Sequence, residues 1–514
     1  MRISRCVRWP AVVVAGALAA TACGSFEGST TSGSGSTDNL TVSLQFTPRA
    51  NYSLETDDAF VLSQVGCLET LVKYDAEAGA LVPLLATEWV QTEPTAWDFT
   101  LRDGVKFQDG TDLTAAAVVA SLHYLLQADA PPRAFTPKLI TSVEALNDST
   151  VRVRTPEPSA LVPFRLASIN TGILSPAAYT GTGIDPLSHC TGPYTPVAQT
   201  PAQSMTLEGN AAYWGGNVPL KSVTARFIPE GATRATQVRT GESQIALGLP
   251  ASTVPELEGD ARIKVSSAFT PRTTGLYFNQ SRAPFDNPEV RKAVQAAVDV
   301  ESITSSVFGG QAHPAIGPFA PTEAWAPDSP PVNRNPDQAR RLLTAAGYAP
   351  GQLKLTLLAY TERPEFADLA AVIQANLAEI GIDVSVQVSD YSAIEPSLLD
   401  GTYDLALLSR NHLTDIADPL GFLTADYSCG GGFNISQYCD PAIDAQLSAA
   451  NTENDPQRRN AIYADVAAQL QADAVTTFIA HEQTTAARLE SIESFVDDPL
   501  ARYAVTPDLT VSNS

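Results

Sequence analysis

Between residues 353 and 409 the spacing of apolar positions changes period from element to element. LKLTLLAY (353–360) is an alternating, mostly apolar run of strand length. Phe366, Leu369, Val372, Ile373, Leu377 and Ile380 then recur at helical spacing until Gly381 ends the helix. IDVSVQV (382–388) predicts a second strand, residues 392–399 a short helix, and YDLALLS (403–409) a third strand. Strand, helix, strand, helix, strand with short connections predicts a parallel sheet with right-handed crossovers. Ligands of such sheets bind beyond the carboxyl ends of the strands. Two loops fall there: 360–364, with Glu362 and Arg363, and 410–419, with Arg410, His412, Asp415 and Asp418.

Upstream, Asn287-Pro288 and Asn335-Pro336 each place a capping side chain before a proline suited to the first helical position. Before residue 270 the texture is one of short strand-like runs, TVSLQF, AWDFTLR, TVRVRT and SVTARFIP, broken by Pro, Gly and Asp. This predicts an α/β protein of two lobes. Residues 39–270 form the first lobe, 271–477 the second, and 478–514 a return to the first.

The first apolar run, residues 11–22, follows Arg2, Arg5 and Arg8 and ends in small residues before Cys23. Its about twelve residues are too few to span a bilayer, which needs roughly 20 as a helix, so 1–22 reads as a removed export signal. The stretch resembles a bacterial lipoprotein signal, which would make Cys23 the lipid attachment site and anchor the chain by its acyl groups. Residues 23–38, rich in Ser, Gly and Thr, read as a flexible tether.

Removing the signal leaves 29 basic side chains facing 56 acidic ones, a net charge near −27. That balance argues against nucleic acid as a partner and suits a soluble extracytoplasmic body. Four cysteines remain: Cys67, Cys190, Cys429 and Cys439. An even count in an oxidising compartment suggests two disulfides. The short Gly-rich segment between Cys429 and Cys439 favours that local bridge and leaves Cys67 with Cys190, although three pairings are formally possible. No CxxC, HExxH, GxSxG, DxDxDG or GK[ST] motif is present, so neither a cofactor nor a catalytic centre is expected.

Several segments, taken in order, resemble one known family. LVPLLATEWVQTEPTAWDFTLRDGVKFQDGTDLTAAAVVASL, CTGPY (190–194), NAAYWGG (210–216), FNQSRAPFDNPEVRKAVQAAVD (278–299), NPDQARRLLTAAGY (335–348) and DIADP (415–419) are similar to the peptide and nickel class of solute-binding lipoproteins of bacterial ABC importers, family 5. The resemblance implies a two-lobed periplasmic-binding-protein fold, with an extra subdomain in the first lobe and a cleft between lobes joined by crossing strands. It implies a monomer that captures a small solute, taken as a short peptide, and passes it to a permease with ATPase subunits. A nickel-metallophore chelate, another solute, or solute sensing are the alternatives.

The resemblance also implies site residues. Asp415, in DIADP, matches the aspartate that pairs with a peptide's free amino group; the competing role is a helix cap, for which Asp418 is better placed. A tryptophan common after the third strand is replaced here by Arg410, and the family's arginine near residue 366 is missing, so Arg410 or Arg363 is expected to meet the ligand carboxylate. His412 is the only histidine expected in the cleft, as a solvated loop residue or a contact, with His123, His189, His313 and His481 scattered. In RANYSLETDDAF, Tyr52, Asp57 and Asp58 are weaker candidates, the acids being equally suited to solvent or capping.

Overall fold

The computed structural model describes residues 38–180 and 183–512. The export signal, Cys23 and the tether through Thr37 lie outside the described residues. Among the described residues no helix is long and apolar enough to cross a membrane.

Strand Asn39–Leu44 is the seed of the first core. It pairs in parallel with Ser222–Phe227 and Ile245–Ala246, and antiparallel strands Tyr194–Thr200 and Ser204–Gly209 extend that edge. An inserted antiparallel sheet orders Ala86–Glu93, Ala96–Leu101, Thr150–Arg154 and Ser142–Asn147. Helix Ala115–Gln127 packs against it, its first turn capped by the Thr114 hydroxyl. Leu40, Val42, Phe99, Val118, Leu122 and Val151 share one buried cluster, so the insertion and the central strands have a common core. Ile492, Ala504, Val505 and Leu509 from the C-terminal segment complete it. Cys67 is disulfide-bonded to Cys190 within this core.

The second core holds the parallel unit expected from periodicity. Leu353–Tyr360 lies between Ile382–Ser389 and Leu405–Asn411, parallel to both. Helix Phe366–Glu379 buries Phe366, Leu369, Ile373 and Leu377 against this sheet. Gly381 follows at φ +84°, where a Cβ would meet Pro350 at 2.9 Å, so the turn needs glycine. The third strand runs two residues later than its pattern suggests. Its antiparallel pairing with Ile263–Phe278, ending at Arg272 opposite Asn411, carries the ladder beyond Ser409. Asn287 and Asn335 accept the predicted capping bonds from Glu289 and Gln338 N–H, each at 2.9 Å.

Two long strands, Ile263–Phe278 of 16 residues and Thr476–Leu489 of 14, pair along most of their length; Leu276, Tyr277, Phe278, Ile479 and Ala480 sit in the second core, and Ile263 and Ala487 in a separate small cluster. A third buried cluster joins Tyr74, Ala134 and Leu161 from the first half to Phe319, Leu413, Ile416 and Leu420 from the second. Cys429 is bonded to Cys439 nearby.

Candidate functional site

The strand Leu405–Asn411 ends where the ladder with Ile263–Phe278 ends, and the chain then turns through 412–419 into helix Leu420–Tyr427. This is the carboxyl end of a parallel-sheet strand, the place where ligands of such sheets bind. A cavity of about 440 Å³ opens there, within the size range of small-ligand sites. Arg410, His412, Asp415 and Asp418 line it, with Arg272 from the adjoining strand and Arg133 from the loop after helix Ala115–Gln127.

The two aspartates of DIADP differ. Asp418 is 2 % exposed. Its carboxylate accepts from Leu420 N–H at 2.9 Å, the Tyr463 hydroxyl at 2.7 Å and Arg459 Nε at 3.2 Å, so it starts the helix and ties it to residues 459–463. Asp415 is half-buried and has no hydrogen bond or ion pair among the described residues. Burial pushes its carboxyl above the usual range; Arg133, Arg410 and Arg165 oppose that rise, and Asp57 adds to it. A desolvated carboxylate with an open face is suited to accept from an ammonium group.

Arg410 is clamped: Nε and Nη2 meet the two oxygens of Asp426 at 2.7 and 2.8 Å, and the guanidinium lies 4.0 Å over the Phe433 ring. Arg363 is not on the cavity lining; it donates to Glu365 at 2.6 Å and Glu482 at 2.7 Å. The arginines left open are others. Arg272 Nη1 reaches only the carbonyl and hydroxyl of Ser409, at 3.2 and 3.3 Å. Arg133 is exposed on the lining, and Arg165 gives one bond to the Ala134 carbonyl at 3.1 Å. Burial lowers Arg165 to about 10 and also lowers Arg272.

His412 is 3 % exposed, its Nε2 2.6 Å from Glu323 and its ring edge-on to Phe319, while Nδ1 on the buried side has no partner among the described residues. The histidines thought scattered are partly gathered: His313 is the register partner of His481, and His412 lies within electrostatic reach of His481. The two long strands, which local spacing does not reveal, bring them together. Among the described residues no group of three or more His, Cys, Asp or Glu is placed to hold a metal ion.

Tyr52 is 3 % exposed and packs in the first core, off the cavity lining. Asp57 is exposed and within electrostatic reach of Asp415. Asp58 accepts from the Arg49, Ala50 and Tyr52 N–H groups at 2.7 to 3.0 Å and so shapes the turn, the capping role open to it from sequence. Arg272, Arg133 and Arg165 were not visible to sequence reasoning. Arg272 was findable, since the run SAFTPRTTGLYF is continuous with the FNQSRAPF segment; Arg133 follows Pro131-Pro132 in a loop with no local signal.

Residues 80–434 match the model for bacterial extracellular solute-binding proteins, family 5. A glutathione-binding protein of Pectobacterium atrosepticum is 29 % identical over 429 residues, covering 81 % of this chain and 83 % of its own. A probable di/tripeptide-binding protein of Pseudomonas aeruginosa is 27 % identical over 472 residues, covering 85 % and 88 %. Among solved structures, a nickel ABC transporter protein from Bacillus halodurans superimposes with TM-score 0.81 at 27 % identity, covering 92 % of this chain and 100 % of its own. DppA from Helicobacter pylori, in complex with the peptide STSA, gives 0.71 at 25 % identity, covering 92 % and 98 %. The fold is therefore that of the periplasmic-binding proteins, and the function is extracytoplasmic solute binding and not catalysis. The chain belongs to family 5 of the bacterial extracellular solute-binding proteins.

Proposed function

We propose that this chain captures short peptides outside the cytoplasm by closure of its lobes and delivers them to an ABC permease. The observation that carries this reading is Asp415, a half-buried carboxylate on the cavity wall with no partner of its own among the described residues. It offers an anchor for a free amine, and Arg272, held by Ser409 alone, offers one for a carboxylate. Relatives named for glutathione and for di- and tripeptides support the same class. Contacts from both lobes favour the closed form, and population shift toward it needs only that difference in affinity.

The long pair Ile263–Phe278 and Thr476–Leu489 spans the proposed lobe boundaries at 270/271 and 477/478, which suits a hinge. Cys23 is the proposed lipid anchor, and the protein acts as a monomer. The unpartnered Nδ1 of His412 favours a second reading, a metal chelate whose own ligands complete the coordination. Mass spectrometry of molecules released by denaturing the purified protein separates the two. Short peptides with free amino termini are expected; a metal complex in their place overturns the peptide reading.

A further inference from the structure

Behind the cavity wall, Glu482 on strand Thr476–Leu489 is 8 % exposed and has both oxygens engaged. Oε1 accepts from the Ser409 hydroxyl at 2.6 Å and the Thr274 hydroxyl at 2.7 Å, and Oε2 from Arg363 Nη2 at 2.7 Å. Arg363 also serves Glu365, so one guanidinium is shared by two carboxylates. The second cation in electrostatic reach of Glu482 is Arg272, which lines the cavity. The two are joined through Ser409. Arg272 Nη1 donates to its hydroxyl at 3.3 Å and its carbonyl at 3.2 Å. Because the Ser409 proton is committed to Glu482, the lone pairs of that hydroxyl are left to Arg272. Donation therefore runs one way, from Arg272 to Ser409 to Glu482, and each bond polarises the next.

We propose that Glu482 is a positioning residue of the solute site, acting through Ser409 to aim the Arg272 guanidinium at the solute carboxylate. The inference rests on reading Arg272 as the carboxylate anchor and deepens it. Two guanidiniums, Arg272 and Arg363, stand against two carboxylates, Glu482 and Glu365, so the arm has no excess charge to attract an anion. Its preference for a carboxylate comes from the direction of its hydrogen bonds, which a planar guanidinium delivers only when its plane is fixed. Thr274, on strand Ile263–Phe278, holds Glu482 from its other side, so the aim is set by the pair of long strands.

The test is isothermal titration calorimetry at pH 7 on the full chain, stripped of bound solute by unfolding and refolding. The probes are alanyl-alanine and its C-terminal amide, and the readout is the ratio of their affinities, which a merely structural defect leaves unchanged. The wild type is expected to prefer the free acid on the order of tenfold, and Arg272→Gln to abolish that preference. Ser409→Ala and Glu482→Met each lower the ratio to about threefold or less, and the double variant is no worse than either single one. Ser409→Thr, which keeps the hydroxyl at a strand position, retains the wild-type ratio. Should Glu482→Met fail to fold, Ser409→Ala against Ser409→Thr decides. An unchanged ratio in Ser409→Ala, a ratio raised by Glu482→Met, or additive losses in the double variant overturn the positioning role and leave Arg272 as the anchor. Equal affinity of the wild type for acid and amide overturns the anchor reading and the inference with it, as does failure of both to bind.

Discussion

Arg410 and Asp426 face each other as a two-pronged ion pair, Nε to Oδ2 at 2.7 Å and Nη2 to Oδ1 at 2.8 Å, with Asp426 2 % exposed. Both side chains come from the elements that build the cavity, the strand end at Asn411 and the helix Leu420–Tyr427. The pair therefore fixes the spacing of the loop that carries Asp415. Burial raises the Asp426 carboxyl, and Arg410 opposes that rise.

Removing one partner of such a pair leaves a buried charge without compensation. Arg410→Ala is expected to destabilise the protein by about 3 kcal/mol, whereas the double change Arg410→Met with Asp426→Leu recovers most of the loss. Urea denaturation of the single and double variants checks this; equal stability of Arg410→Ala and wild type would contradict it.

Asp415 has the opposite economy. Its folded-state pKa is raised, by burial first, so the contribution of its carboxyl to stability is fully present below its unfolded value of 3.8 and is lost as pH rises through the folded value. At neutral pH the empty protein carries that cost, and Asp415→Asn is expected to be as stable as wild type or more so by up to about 1 kcal/mol. Thermal melts at pH 7 read it. A bound ammonium reverses the preference, so affinity for an amine solute falls as pH drops through the raised pKa, earlier than an ordinary aspartate would dictate.

His481 is fully buried, with Nδ1 3.0 Å from the Thr273 hydroxyl and Nε2 accepting from Ile316 N–H at 3.3 Å. The Thr273 hydroxyl donates to the Pro318 carbonyl at 2.9 Å, so Nδ1–H donates to Thr273 and the ring is neutral. Burial, with His412 and His313 adding, lowers it to about 3. The unfolded chain then binds a proton from about pH 6.5 downward that the folded chain refuses until about 3. Stability is lost across that window as pH falls, by up to about 1.4 kcal/mol per pH unit. His481→Gln is expected to flatten the slope between pH 6 and 4, measured by denaturant unfolding at each pH.

The two disulfides close loops of different length, 123 and 10 residues apart in sequence. On loop-entropy grounds, loss of Cys67–Cys190 is expected to cost about 4 to 5 kcal/mol and loss of Cys429–Cys439 about 2 to 3. Paired Cys→Ala variants in urea rank them; the reverse order would show that the local bridge holds more than its loop.

Local periodicity made the parallel unit at 353–409 legible because each element there is short, buried on one face and closed by its own stop signal, such as Gly381. The caps Asn287 and Asn335 were legible for the same reason, since their bonds are made within three residues. What the residues hid is long-range. The strands Ile263–Phe278 and Thr476–Leu489 are recognised by each other across about 200 positions, and their pairing carries Arg272 to the cavity and His481 toward His412. Arg410 looked free because Asp426 lies 16 residues away on another element. Arg133 had no signal at all, being brought in by the placement of a whole subdomain.

The central claim, that Asp415 holds a free amine, is tested most directly by titrating Ala-Glu and its N-acetylated form into wild type and Asp415→Asn. The account predicts that the substitution weakens Ala-Glu by about 10- to 100-fold, equivalent to about 1.4 to 2.8 kcal/mol, and leaves the affinity for the acetylated peptide unchanged. Equal loss for both peptides would contradict it, placing Asp415 in the architecture of the cavity and not in contact with the solute.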